Sequence, residues 1–295
     1  MSIIIDTDPG TDDAFAIILA LKEKLNIKAI TTVEGNCSIK QATKNAQIIL
    51  DVCRRLDIPI YKGKGVNDRV YAKKVHGQDG LGDINYKEIK SKIENKNAVD
   101  YLIETVNNNP KKITIIAIGP LTNIKEAIMR NKDFSKNVKE LLVMGGTITK
   151  GNITEYAEFN FYKDANSAKK VLESDIKNIK LFGLNVTEKL PLLEYQEKNL
   201  LESKDKASKF LYKITRTGAK KDREKGFAGL ILNDPLPISY IMDKRIVKFK
   251  KMNVTVQTRG IKKGMLIPSN SRKKIKIATI VNKKRFYRII DDMIK

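Results

Sequence analysis

Two hydrophobic patterns alternate over the first 190 residues. Short, mainly apolar runs rich in β-branched residues occupy 2–6 (SIIID), 27–34, 113–118 (ITIIAI), 141–144 and 179–184 and read as strands. Segments with mixed polar and apolar positions at helical spacing lie between them: 12–22, 38–56, 98–107, 122–130 and 166–173. Strands apolar on both sides need cover on both faces, which implies an α/β fold with a mostly parallel sheet flanked by helices. In such sheets ligands bind beyond the carboxyl ends of the strands. The later third differs. A long, highly charged helix is expected over 192–225, and a short Pro-punctuated segment over 233–241. Strands are expected at 245–257 and 274–281, with an amphipathic closing helix at 282–295. The stretch 63–83 is Gly-rich and aperiodic, a candidate to close over a site. No repeat or linker-like stretch interrupts the chain, so one domain over 1–295 is expected.

Composition narrows the class. The chain has 295 residues, 41% hydrophobic and 31% charged, which is a folding composition and not a disordered one. The longest apolar run, 14–21, falls far short of the roughly 20 residues of a spanning helix. Asp6 and Asp8 interrupt the first apolar stretch before a leader's hydrophobic region could form, so a cytoplasmic protein is expected. Lys and Arg outnumber Asp and Glu by 57 to 34, a net charge of +23. The excess is scattered in short clusters and reads as a solvated surface, with neither a nucleic acid nor a membrane as partner. Two cysteines, Cys37 and Cys53, suggest a reducing compartment. His76 is the only histidine, which excludes His-rich zinc sites.

The densest chemistry is DTDPGTDD at 6–13, with four carboxylates in eight positions where a strand turns into a helix. Acidic residues in a first helical turn suit the macrodipole, which accounts for Asp12 and Asp13. Asp6 and Asp8 need another reason, because crowded anions repel unless neutralised. A hard divalent cation, which prefers oxygen ligands, is the simplest neutraliser. Two chemistries fit. One is an aspartyl-phosphate phosphohydrolase, whose Asp-x-Asp spacing Asp6 and Asp8 share. The other is metal-assisted hydrolysis by an activated water.

Further segments separate the two. TTVEGN stands at 31–36, HGQDGLG at 76–82, GPLTNI at 119–124, MGG at 144–146, EFN at 158–160 and Asp-Pro at 234–235. Together with 6–14 these resemble, in order, the landmarks of the nucleoside hydrolases, calcium-dependent ribohydrolases of inosine–uridine and related preference. The phosphohydrolase reading explains only the first landmark. The resemblance implies a Rossmann-like nucleoside hydrolase fold, usually a homodimer or homotetramer, that splits ribonucleosides into free base and ribose for salvage. It implies Ca²⁺ bound by Asp8, Asp13, the Ile118 carbonyl and Asp234, with Asp8 as general base and Asp6 supporting the turn. Asp12 and Asn36 would meet the 2′- and 3′-hydroxyls, and Asn152, Glu158 and Asn160 the 5′-hydroxyl. A carboxylate at Glu158 accepts from a 5′-hydroxyl and repels a 5′-phosphate, so nucleosides should be preferred to nucleotides.

The chain departs from the family at the leaving group. Where several members place a His as acid, Asn233 stands, and an amide donates no net proton near neutrality. Asn233 would then only contact substrate. Positions matching catalytic tyrosines hold Thr217 and Lys221. His76 from the 63–83 loop is the candidate acid, and Lys221, Arg223 or Lys225 could steady an anionic base. An alternative is a ribose- or nucleoside-binding protein with impaired catalysis.

Overall fold

The computed structural model describes residues 1–66, 70–86 and 89–295. Its first half alternates strand and helix. Strand β1 (Ser2–Thr7) leads to α1 (Thr11–Lys22), β2 (Ile27–Thr32) to α2 (Ile39–Val52), and β3 (Ile60–Lys62) to the short α3 (Lys73–His76) and to α4 (Ala98–Asn108). Next come β4 (Ile113–Ala117), α5 (Thr122–Arg130), α6 (Lys132–Asn137), β5 (Glu140–Met144), α7 (Phe159–Lys163), α8 (Ala165–Glu173), β6 (Ile179–Phe182) and α9 (Leu184–Thr187). The remainder comprises α10 (Glu194–Glu202), α11 (Lys206–Glu224), α12 (Pro235–Met242), β7 (Val247–Met252), β8 (Val254–Val256), β9 (Leu266–Pro268), β10 (Ile275–Val281) and α13 (Lys283–Ile294).

Eight strands form one sheet in the order β3-β2-β1-β4-β5-β6-β10-β7, while β8 and β9 pair separately. All neighbours in the large sheet run parallel except β7, antiparallel at the edge. Successive side chains of a strand face opposite sides. Ile3 and Ile5 of β1 join one core layer with α1, α2, α11, α12 and α13. Ile4 joins the other, with α4, α5, α6 and α8. The expected mostly parallel α/β sheet with two covered faces is therefore present.

Two expected elements are broken where a polar side chain bonds to backbone. The single helix over 192–225 is two helices, because Asp205 caps α11 by accepting the Ser208 N–H at 2.9 Å. The single strand over 245–257 stops at Asn253, whose Nδ2 donates to the carbonyls of Ser271 (2.6 Å) and Lys273 (3.2 Å). The chain then leaves the large sheet for the β8–β9 pair. The order β2-β1-β4 reverses chain direction across the sheet, which opens a crevice at the carboxyl ends of β1 and β4. Among the described residues no helix is long and apolar enough to cross a membrane.

Candidate active site

Four carboxylates meet at that crevice. Asp8 follows β1. Asp12 and Asp13 stand in the first turn of α1, where Asp13 Oδ2 accepts the Gly10 N–H at 2.9 Å and Oδ1 the Thr7 hydroxyl at 2.5 Å. Asp234 arrives from the far end of the chain as the N-cap of α12, with Pro235 opening that helix. Gly35 after β2 and Gly119 after β4 flank Asp8, and a Cβ on either would overlap an Asp8 carboxylate oxygen. These glycines explain why two of the sequence landmarks lie where they do. Asp8 Oδ2 accepts the Asn36 N–H at 2.7 Å, whereas Oδ1 is buried with no hydrogen-bond partner. Asp6 instead accepts from Thr31 (2.5 Å) and Asn123 (2.8 Å), so it ties β2 and α5 behind the turn.

Burial, then mutual repulsion, raises the acids. The Asp8 carboxyl is held well above its ordinary value by burial, with Asp13 and Asp12 adding to it. Burial does the same to Asp234, followed by the charges of Asp12, Asp13 and Asp8. Asp12 and Asp13 are pushed up to about 6, burial being the main cause in both. Among the described residues the only basic side chain in ion-pair range of the four is His76, 3.9 Å from Asp12. The side chains of Asp12, Asp13 and Asp234 each offer an oxygen within 4.8 Å of the others. An all-oxygen donor set, four buried acids and an orphaned Asp8 oxygen fit a hard divalent cation. This triad contains Asp12, for which the family resemblance implies a contact with the sugar, and does not include Asp8. The Ile118 carbonyl accepts from Asn160 Nδ2 at 3.0 Å and retains a second lone pair.

A cavity of ≈ 880 Å³ opens above this cluster, lined in part by Asp12, Asn36, Ile118, Glu158, Asn160 and Asp234. Asn36 Nδ2 donates to Asp13 Oδ2 at 3.0 Å. Asn152, also on the lining, accepts the Phe159 N–H through its Oδ1 at 3.0 Å. Glu158 caps α7: Oε1 accepts the N–H of Asn160 at 2.7 Å, and Oε2 those of Gly146 (2.9 Å) and Phe161 (3.0 Å). Burial lifts its carboxyl to about 7 against those bonds.

His76 also lines the cavity. It closes the helix α3 and is buried, where the sequence suggests a mobile loop; residues 67–69 of the 63–83 stretch lie outside the described residues. Its Nδ1 accepts the Thr11 N–H at 3.2 Å, so the ring proton sits on Nε2, which faces Asp12. Burial lowers its pKa to about 4 although Asp13 and Asp222 pull the other way. Asn233 also lines the cavity, yet its amide is engaged: Oδ1 accepts from Thr187 at 2.8 Å and Nδ2 donates to Asp12 Oδ2 at 3.2 Å.

Lys221 and Lys225 line the cavity, so the last turn of α11 is more than a solvated face. Thr217 is exposed, and Arg223 turns to Glu197 at 2.6 Å. The lining residues that escape sequence reading include Tyr71, Glu188, Asp222 and Phe227. Only Asp222 carries a signal. It continues the buried stripe Leu211, Thr215, Gly218 of α11, so an acid stands on an inward face.

The family model described as inosine-uridine preferring nucleoside hydrolase matches residues 3–288. Uridine nucleosidase 1 of Arabidopsis thaliana is 36% identical over 270 residues, covering 88% of this chain and 79% of that one. The inosine-uridine preferring nucleoside hydrolase of Leishmania major is 31% identical over 268 residues, covering 88% and 84%. A solved plant nucleoside hydrolase superposes with a TM-score of 0.93 at 32% identity, covering 99% of this chain and 98% of its own.

Proposed function

Because the chain belongs to the inosine-uridine preferring nucleoside hydrolase family and so hydrolyses ribonucleoside N-glycosidic bonds, we propose that Asp8 is its general base and the ≈ 880 Å³ cavity its nucleoside site. The observation that carries this is Asp8 Oδ1: buried, unpartnered, and at the sheet's switch point beside three more buried acids. A carboxylate oxygen free of donors is the one able to take a proton from an attacking water.

Ca²⁺, held by Asp8, Asp13, Asp234 and the Ile118 carbonyl, or with Asp12 in place of one of these, would supply the positive charge the acids lack and acidify that water. Asp12 and Asn36 orient the 2′- and 3′-hydroxyls at the cavity floor. Asn152, Glu158 and Asn160 face the 5′-hydroxyl, and Glu158 in its ionised form repels a 5′-phosphate. Asn233 fixes Asp12 through its amide. His76, neutral near pH 7, offers its Nε2–H as a hydrogen bond to the departing base, and Lys221 and Lys225 steady the negative charge that develops there. Release of free base and ribose suits nucleoside salvage.

The test is reducing-sugar release from uridine, inosine and other nucleosides, with and without a chelator. Sugar release that chelation abolishes and Ca²⁺ restores is expected. Full turnover in chelator overturns the cation's part. Phosphate release from phosphomonoesters without sugar release overturns the whole reading.

A further inference from the structure

A buried cation outside the carboxylate cluster holds the wall that bears His76. Lys163 ends α7, and its side chain is wholly buried. Its Nζ donates to the Val70 carbonyl at 2.6 Å. The same ammonium lies 4.4 Å from the centroid of the Tyr71 ring and 3.9 Å from Glu34 Oε1. Tyr71 Oη donates to that Glu34 oxygen at 3.1 Å, closing a three-membered set. Glu34 is anchored in turn, since its N–H donates to the Lys64 carbonyl at 3.1 Å. The next link is backbone. The Ala72 N–H donates to the Asn36 carbonyl at 3.2 Å, and the N–H groups of Val75 and His76 donate to the Ala72 carbonyl at 2.9 and 3.1 Å. The turn carrying His76 therefore hangs from a tether that begins at Lys163.

A buried ammonium is costly unless its charge and its protons are matched. Here a carboxylate, a carbonyl and an aromatic face match it, and all three belong to segments that border the cavity. The other end of α7 carries Glu158 and Asn160, on the cavity's 5′-hydroxyl side. One short helix thus spans from the sugar wall to the leaving-group wall.

We propose that Lys163 and Glu34 are positioning residues for the hydrolysis: they clamp 70–72 and so set Tyr71 and His76 against the base. The proposal rests on the reading of His76 as donor to the leaving base. Misplacing a catalytic group by about 1 Å can cost on the order of 100-fold. A loss of ~10-fold or more in kcat on uridine is therefore expected for Lys163→Met, which keeps the stem and removes the charge, with KM nearly unchanged. An activated p-nitrophenyl riboside, which needs little help to leave, should lose no more than about 3-fold. Lys163→Arg should restore part of the loss on uridine. Glu34→Gln, which keeps an oxygen for Tyr71, should show the same split more weakly and serves if Lys163→Met does not fold. Amide exchange of 72–76 should quicken by ~10-fold in both variants as the local opening free energy falls.

His76→Ala is the reference. If it shows the leaving-group split and Lys163→Met and Glu34→Gln lose equally on both substrates, the clamp is only structural and the proposal is overturned. Unchanged kinetics in both variants overturn it as well. If His76→Ala itself shows no split, the fault lies in the leaving-group reading. Exchange at 72–76 then decides: faster exchange with partial rescue by Lys163→Arg supports the clamp, and unchanged exchange removes it.

Discussion

At the scale of single residues, Asp8 is set apart by where its free oxygen lies. Asp6 also keeps one oxygen without a donor, but its other oxygen is tied by Thr31 and Asn123 behind the turn, whereas Asp8 lies between Gly35 and Gly119 and shares its surroundings with Asp12, Asp13 and Asp234. Asp8→Asn retains the size and the acceptor for the Asn36 N–H but cannot take a proton. Its kcat for nucleosides should fall by roughly 100- to 10,000-fold, the usual scale of a general base, with the fold intact by circular dichroism. Near-normal sugar release by that variant would remove Asp8 from the chemistry. His76 makes the second prediction at this scale. Its pKa of about 4 leaves it neutral at pH 7, so it acts through one hydrogen bond. His76→Ala should then cost about 10-fold on uridine, roughly 1.4 kcal/mol, and little on a p-nitrophenyl riboside. The acids at 6–13 were legible because four like charges in one turn demand an explanation. The roles of Asn233 and Asp12 were less so: Asn233's partners, Thr187 and Asp12, lie 46 and 221 residues away, and only packing reveals them.

At the scale of elements, α7 shows how a five-residue helix can be worth more than its length. Isolated, it could not persist, since nucleation costs more than so few bonds return. Glu158 caps it, and the same carboxylate lines the cavity. Glu158→Ala should therefore do two things: lower thermal stability by about 1 kcal/mol through the lost cap, and raise KM for nucleosides. It should also narrow the preference for a nucleoside over its 5′-monophosphate, measured as a ratio of kcat/KM. An unchanged ratio would mean that the carboxylate serves the helix alone. Five strands and five helices before residue 190 were readable from periodicity because both sheet faces are covered, while the three-residue edge strand β3 and the short helices α6, α7 and α9 are too brief to show a period. The failures at 203–205 and 253 share one cause. A polar side chain bonded to backbone, three residues on at Asp205 and 18 to 20 residues on at Asn253, stopped an element whose hydrophobic pattern alone would have continued. The edge strand β7 illustrates the opposite use of charge. Lys248 and Lys251 are exposed along it, and lysines on an edge discourage pairing with another chain.

At the scale of the whole molecule, the sheet gathers negative charge from both ends of the sequence into the interior of a chain that carries +23 overall. Desolvation dominates there, and its sign sets a pH dependence. Asp12 and Asp13 bind protons up to about 6 in the folded protein, against an ordinary 3.8. Between those values the folded state holds more protons than the unfolded chain, so stability falls as pH rises through this window and stays low above it. For each such carboxylate the loss is on the order of 3 kcal/mol, with less for the pair than twice that because their titrations interact. Glu158 extends the same trend to about 7. In chelator, the melting temperature should therefore decline from pH 5 toward pH 7.5. Saturating Ca²⁺ binds the ionised carboxylates and only the folded state presents them together, so it should raise the melting temperature most at pH 7.5 and least at pH 5. Proton release on Ca²⁺ addition, read by calorimetry in buffers of different ionisation enthalpy, should shrink as pH rises past 7. A chelated protein whose melting temperature climbs steadily from pH 5 to 7.5, indifferent to Ca²⁺, would show that these acids are not an ion site awaiting its charge.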